Sequence, residues 1–271
     1  MAVPALTVVV VHRNQPAALA ATVASLREAW SGPLRVVVAD NASTAPPDLD
    51  GVEVVATGAN LGFGAGANTG LVRARTPWVA VCPHDVEVAR GALDRMVAVA
   101  SARPRVGLVG ADLGLVEVPI VDPYFGGITV PAVRSGDWAP AGYPHGTLLV
   151  ARRACLEQVG LFDEAFFAYC EEVDLALRAR AHGWISGQVW GAMARNTGLG
   201  SIEVSQYLKA RNTLHLVRRW FGRYRAAVRL GFELPPAVAQ RPSRLAVRDF
   251  LTGRWGPPPA ELCDPHKGAR T

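Results

Sequence analysis

Leu6-Thr7-Val8-Val9-Val10-Val11, running straight into the polar His12-Arg13-Asn14, is the stretch that decides the fold. An unbroken apolar run, mostly β-branched, fits a strand buried on both faces, and such strands belong to parallel sheets covered by helices. Working outward, residues 15–30 read as a helix, because Leu19, Val23, Leu26 and Trp30 fall on one face, and Gly32-Pro33 stops it. The unit then repeats. Strands are expected at 35–39, 52–56, 78–82 and 106–110, with a Gly-rich turn and a short helix near 65–75 and a helix over 90–102. Repeated βα units predict an α/β fold with a doubly wound, mostly parallel sheet.

Beyond residue 110 the pattern loosens. Residues 113–143 are rich in Gly, Pro and aromatics and read as loops with short strands; 146–151 reads as a strand, 153–159 as a short helix and 171–182 as a helix closed by Gly183. Residues 205–230 read as one long basic helix or a pair, and a loose Pro-containing tail is expected from 257. The expected division is a nucleotide-sugar-sized βα half over 1–110, a second half of the same domain over 111–200, and a basic helical extension with a loose tail over 201–271.

The chain has 271 residues, 50% hydrophobic and 19% charged, which excludes global disorder and allows a large core. No apolar run approaches the roughly 18 residues of a membrane span. The start of the sequence lacks a cationic, signal-peptide-like layout, so export is not expected. Four scattered cysteines without a C-x-x-C pair argue against a disulfide scaffold or a zinc knuckle and fit a reducing cytoplasm. From Gly200 onward there are 13 Lys+Arg against 5 Asp+Glu, whereas the preceding residues are slightly acidic. A basic extension on an acidic body suits an anionic partner, such as the inner membrane surface, a phosphorylated lipid or nucleic acid; the Arg bias of a high-GC genome explains it equally well.

In open α/β sheets ligands bind beyond the carboxyl ends of the strands. Four polar segments fall there: Val10-Val11-His12-Arg13-Asn14, Asp40-Asn41-Ala42-Ser43, the Gly-rich stretch from Asn60 to Asn68, and Pro83-His84-Asp85-Val86-Glu87. Together they outline a nucleotide-sized cleft. Gly62, Gly64 and Ala67 also satisfy G-x-G-x-x-A, the dinucleotide fingerprint, although the first βα turn carries no glycine. The stretch therefore reads as a phosphate- or sugar-proximal loop, a plain turn, or a dinucleotide loop. Asp85 reads either as a ligand for a divalent cation, with Glu87 two residues on, or as a helix cap. Glu171, Glu172 and Asp174 form the densest acidic cluster. They favour a helix N-terminus, and Asp174 can pair with Arg178. Glu171 and Glu172 project about 100° apart, so one can anchor the loop while the other faces the cleft as a general base.

These ordered motifs, with the Gly160–Phe167 segment and Glu171-Glu172-Val173-Asp174-Leu175, resemble family 2 glycosyltransferases of GT-A fold, especially the rhamnosyltransferase-like branch. The resemblance spans roughly residues 6–257. It implies a Rossmann-like sheet and inverting transfer from a UDP- or dTDP-sugar to an acceptor hydroxyl, with donor-dependent Mg²⁺ or Mn²⁺. It implies that Asp40 contacts the base, that Val11, Arg13, Asn60, Gly62, Asn68 and His84 line the donor, and that Asp85 holds the metal. It further implies that Glu172, beside Glu171, is the catalytic base, and that Tyr143, His145, Gly146 and Asp174 face the acceptor. The partners implied are a nucleotide-diphosphate sugar, a small-molecule, glycan or lipid-linked acceptor, peripheral membrane contact through the basic region, and no nucleic acid; a homodimer is admitted. The family usually has Asn-Pro-Asp or Asp-x-Asp where Pro83-His84-Asp85 stands, aspartate where Glu172 stands, and in many relatives a metal-ligating histidine where Gly191 follows Val189-Trp190. Arg195 or Arg211 are candidates to replace metal charge. Two other classes stay open: a nucleotide-binding oxidoreductase resting on G-x-G-x-x-A, and a catalytically impaired binding protein.

Overall fold

A computed structural model describes residues 5–198 and 201–263. β1 (Leu6–His12) is buried along its whole length, as its unbroken apolar run requires. It pairs in parallel with β2 (Leu34–Asp40) and β4 (Trp78–Pro83), and β2 pairs with β3 (Glu53–Ala56). The side chains of β1 alternate between two apolar layers. Val8 and Val10 meet Leu19 and Leu26 of α1 (Pro16–Ala29) and Leu93 and Met96 of α3 (Ala92–Ser101). Val9 and Val11 share the other layer with Leu71 of α2 (Gly62–Leu71), Leu156 of α4 (Arg153–Val159) and Leu175 of α5 (Glu171–Ala181). Helices on both faces of a mostly parallel sheet make the doubly wound α/β fold.

The sheet continues past residue 110 in a different manner. β10 (Leu149–Arg152) lies antiparallel between β4 and β6 (Val106–Asp112). β11 (Ile185–Asn196) runs parallel to β6 and carries β9 (Trp138–Ala141) and the edge strand β5 (Val86–Val88), both antiparallel. β7 (Glu117–Asp122) and β8 (Gly126–Pro131) form a separate two-stranded ribbon. The helical extension is α6 (Ile202–Ala239), broken at Gly222, then α7 (Arg241–Thr252) and α8 (Ala260–Cys263). Tyr207, Leu208 and Ala210 of α6 pack on Leu245 and Ala246 of α7. The tail expected from 257 thus contains α8, and residues 264–271 lie outside the described residues.

Three elements differ from the sequence reading. β5 follows Asp85 directly, so Asp85 caps no helix; α3 begins at Ala92 with Gly91 before it. β11 includes Ser186, Gly187, Gln188 and Gly191, which interrupt the apolar signal, yet it is the longest strand. α7 was hidden in a Pro- and Arg-rich stretch; its Pro242 sits in the first turn, where a missing N–H costs nothing.

Candidate functional site

The ends of β1, β2 and β4 lie side by side, with His12 in register with Asp40 and Val11 with Pro83. Asp40 is buried, and its Oδ1 accepts from the Ser43 hydroxyl at 2.5 Å, which fixes the carboxylate's orientation. Asn41 ties the next segment in place. Its Nδ2 donates to the Gly62 carbonyl (2.8 Å) and Asn60 Oδ1 (3.1 Å), and its Oδ1 accepts from the Leu61 amide (2.9 Å). Asn60, bonded to Asn41, therefore stands exposed near Asp40, and Arg13, one residue beyond the end of β1, is exposed as well. His84 Nδ1 lies 3.2 Å from the Val11 carbonyl oxygen, which can only accept, so that nitrogen carries the proton. The His12 and His84 rings meet edge to face at 5.1 Å, and His12 Nδ1 and His84 Nε2 are buried without a partner. Burial, then the neighbouring His84, lowers the His12 pKa, partly offset by Asp40. Orphaned imidazole nitrogens beside a fixed carboxylate leave hydrogen-bonding capacity for a polar ligand at these strand ends.

The Gly-rich helix serves packing. Gly62 has φ +84°, and a Cβ there would lie 2.2 Å from the Phe167 carbonyl oxygen, which accepts from the Phe63 amide. Gly64, Gly66 and Gly70 press against Phe162, Val11 and Val9. Close approach of α2 to β1 and to the 162–167 loop thus accounts for the glycines of G-x-G-x-x-A. Asn68, expected to line the donor, is buried, with Nδ2 on the Phe162 carbonyl (2.9 Å) and Glu164 (3.0 Å) and Oδ1 on the Phe162 amide. It pins that loop instead of facing the cleft.

Asp85 lies in the turn from β4 to β5, where the Thr197 amide and hydroxyl both donate to its backbone carbonyl. Gly198 lies over its carboxylate so closely that a Cβ would fall 1.9 Å from Oδ2. Glu87 is exposed and paired with Arg195 at 2.5 Å, so neither side chain joins Asp85. Among the described residues no three His, Cys, Asp or Glu side chains gather around one point. A single hard carboxylate fits a Mg²⁺ or Mn²⁺ ion that takes most of its ligands from substrate phosphates and water. Arg211, considered as a replacement cation, is fully buried and bonded to Tyr207 Oη (3.0 Å) and the Gly256 carbonyl (2.9 Å), which removes it from that role.

Across the cleft, the segment before α5 is strained. Phe167, Tyr169 and Cys170 have φ of +65°, +68° and +74°, a conformation that non-glycine residues avoid. α6 holds it: Asn212 Nδ2 lies 2.7, 2.8 and 2.9 Å from the carbonyls of Phe166, Ala168 and Tyr169. The strained turn presents Glu171 and Glu172 in different directions. Glu171 is buried against Gly64, and burial followed by the charge of Glu172 holds its pKa well above the carboxylate range. Glu172 faces Gly146 and is only partly buried. Burial raises its pKa to about 7, opposed by the backbone amides of Glu172 and Cys170 and by Lys209. A carboxylate poised near neutrality at a cleft edge suits a general base. Tyr143 is buried beside it, its hydroxyl pKa raised by burial and then by Glu172. His145 accepts from the Thr147 amide through Nδ1 (3.3 Å), and burial, then Lys209, lowers its pKa. Tyr143, His145 and Gly146 thus gather around Glu172. Asp174 does not: it is wholly buried between Arg178 Nε (2.8 Å) and Trp220 Nε1 (2.9 Å).

Asn41, Asn212 and Lys209 had not been singled out as site residues. Lys209 had one signal, being one of only two lysines among 28 basic residues. Asn41 falls in the polar segment that ends β2, but the role of neither asparagine is readable locally, since each acts on a loop distant in sequence.

A mostly parallel sheet of this order, with polar strand ends facing an acidic helix N-terminus, defines the GT-A glycosyltransferase class. The chain belongs to glycosyltransferase family 2. Residues 7–112 match the family model described as Glycosyl transferase family 2. An N-acetylglucosaminyl-diphospho-decaprenol L-rhamnosyltransferase of Mycobacterium tuberculosis is 30% identical over 279 residues, covering 84% of this chain and 88% of that protein. In structure the chain is similar to a mannosyltransferase of Pyrobaculum calidifontis in complex with GDP-Man and Mn²⁺, with TM-score 0.59 and 17% identity over 92% of this chain and 75% of that one. It is also similar to S. aureus TarS 1–349 in complex with UDP, with TM-score 0.56 and 16% identity over 92% and 82%.

Proposed function

We propose that the protein is an inverting glycosyltransferase that moves a sugar, with rhamnose the first candidate, from a UDP- or dTDP-sugar to a hydroxyl of a lipid-linked acceptor. The observation that carries this reading is Glu172, a carboxylate tuned near neutrality and placed at the cleft edge beside Gly146 and Tyr143. A single displacement at the anomeric carbon inverts it and needs one base for the acceptor hydroxyl and no carboxylate nucleophile. Asp40 is the candidate partner for the N–H of uracil or thymine, and Asn60 and Gly62 border the nucleotide. The likeness to the mycobacterial N-acetylglucosaminyl-diphospho-decaprenol L-rhamnosyltransferase supports the rhamnosyl and lipid-linked expectations. Among the described residues no helix is long and apolar enough to cross a membrane. The four cysteines are free, in keeping with action on the cytoplasmic side.

Asp85 would hold a Mg²⁺ or Mn²⁺ ion, which when bound screens the charge that develops on the departing diphosphate. Asp85 is the lone carboxylate in the β4–β5 turn, so the ion's affinity should depend on the donor. Activity should fall in excess EDTA and return with Mn²⁺ in the wild type but not in Asp85→Ala; full activity in EDTA would show that no metal is used. The functional reading itself is tested by a thermal-shift panel of UDP-, dTDP- and GDP-sugars. A donor at 100 times its Kd should stabilise by about 2.7 kcal/mol. No shift with any UDP- or dTDP-sugar would refute it.

A further inference from the structure

A groove of about 480 Å³ runs between the N-terminal part of α6, the part of α6 beyond Gly222, and the start of α7. Its lining includes Ile202, Gln206, Lys209, Thr213, Pro236 and Ser243, and every lining residue belongs to α6 or α7, none to the strand ends that face the donor. Lys209 joins this groove to the catalytic cleft. Its ammonium lies 5.0 Å from the centre of the Tyr169 ring, in the strained turn, and its charge acts on both Glu172 and His145. The other groove cation, Arg229, is paired with Glu233, whereas among the described residues Lys209 makes no ion pair. Ile202, on the groove's lining, is an apolar side chain open to solvent, 81% exposed. A cation without an ion pair, whose charge reaches the base, in a groove that mixes hydroxyl and amide side chains with the apolar Ile202, Ala210 and Pro236, matches a diphosphate carrying an apolar tail.

Resting on the lipid-linked acceptor proposed above, we propose that this groove binds the isoprenoid diphosphate portion of the acceptor, with Lys209 on the phosphates and the hydrocarbon leaving over Ile202. The acceptor sugar then lies between the groove and Glu172. A lysine suits this place, since its compact charge can follow a flexible diphosphate without a fixed bidentate geometry.

The test is calorimetric binding of farnesyl diphosphate with excess UDP and dTDP present to fill the donor cleft. Wild type should bind it, with inorganic pyrophosphate competing. Lys209→Met should weaken both compounds by ~tenfold or more, the loss expected for a charge-assisted phosphate contact. Ile202→Glu should weaken only the farnesyl compound. Both positions are exposed, and unchanged melting temperatures would confirm that the variants fold. Equal affinity in Lys209→Met, displacement of farnesyl diphosphate by the nucleotides, or no binding to wild type would overturn the proposal. Binding is read without turnover, so the groove can fail while donor-dependent stabilisation stands, and the reverse.

Discussion

Glu172 can accept a proton only as a carboxylate, and burial holds its pKa at about 7. kcat/KM should therefore rise with pH through about 7 and level off above it. Glu172→Gln should leave donor binding close to wild type and cut turnover by about 10²–10⁴; wild-type turnover in the variant would remove the assignment. Asp40→Ala should weaken UDP or dTDP binding by about tenfold, because an unpaired polar group costs about 1–3 kcal/mol. Calorimetry giving the wild-type Kd would reject that contact. Residue type made these two carboxylates visible in the sequence: each is an acid at the start or end of a strongly patterned element. Asn68 shows the limit. A polar residue in a Gly-rich stretch suggests a ligand, but its amide is consumed by Phe162 and Glu164, residues more than 90 positions away. No local pattern encodes such a partner.

At the scale of elements, the strained turn at 167–170 and α6 form one working unit. Asn212 Nδ2 donates among three carbonyls at that turn; Phe166 O also accepts from the Ala168 amide, so removing Asn212 leaves the part-buried Ala168 and Tyr169 carbonyls short of a donor, at the lower end of about 1–3 kcal/mol each. Asn212→Leu should lower kcat while leaving the donor Kd unchanged, as measured by turnover and calorimetry side by side; unaltered kcat would show that the turn keeps its shape unaided. The first βα units were legible because their strands are continuous apolar runs and their helices keep a 3.6-residue period. β11 was not, because Gly187, Gln188 and Gly191 interrupt the pattern, and its strand character comes from pairing with β5, β6 and β9. α7 was not, because its Pro242 and the Pro- and Arg-rich composition around it read as loop, although Leu245, Ala246 and Phe250 repeat at helical spacing and bury one face.

For the whole molecule, the two glutamates make stability depend on pH. Both pKa values are raised above the ordinary 4.5, that of Glu172 to about 7. Folding therefore favours their protonated forms. Their contribution is fully present below about 4.5; that of Glu172 is lost as pH rises through about 7, and that of Glu171 as pH rises through a folded-state value held well above 4.5. Glu171→Gln should melt above wild type at about pH 8.5 and close to it at about pH 5, with about 2–4 °C for each kcal/mol. Equal melting temperatures at both pH values would show that the carboxyl is not buried as described. β10 carries a different consequence, for synthesis of the chain. Because it is inserted between β4 and β6, a nascent polypeptide that has emerged only as far as Asp112 has β6 without either of its neighbours and β4 with one side bare. Completion of the sheet must wait for Leu149–Arg152 and then β11 to leave the ribosome, and until then both edges of β6 and one edge of β4 stand open to other chains. The segment that matches the family model, 7–112, is thus a unit of recognition in sequence but not a unit that can fold to the native sheet alone.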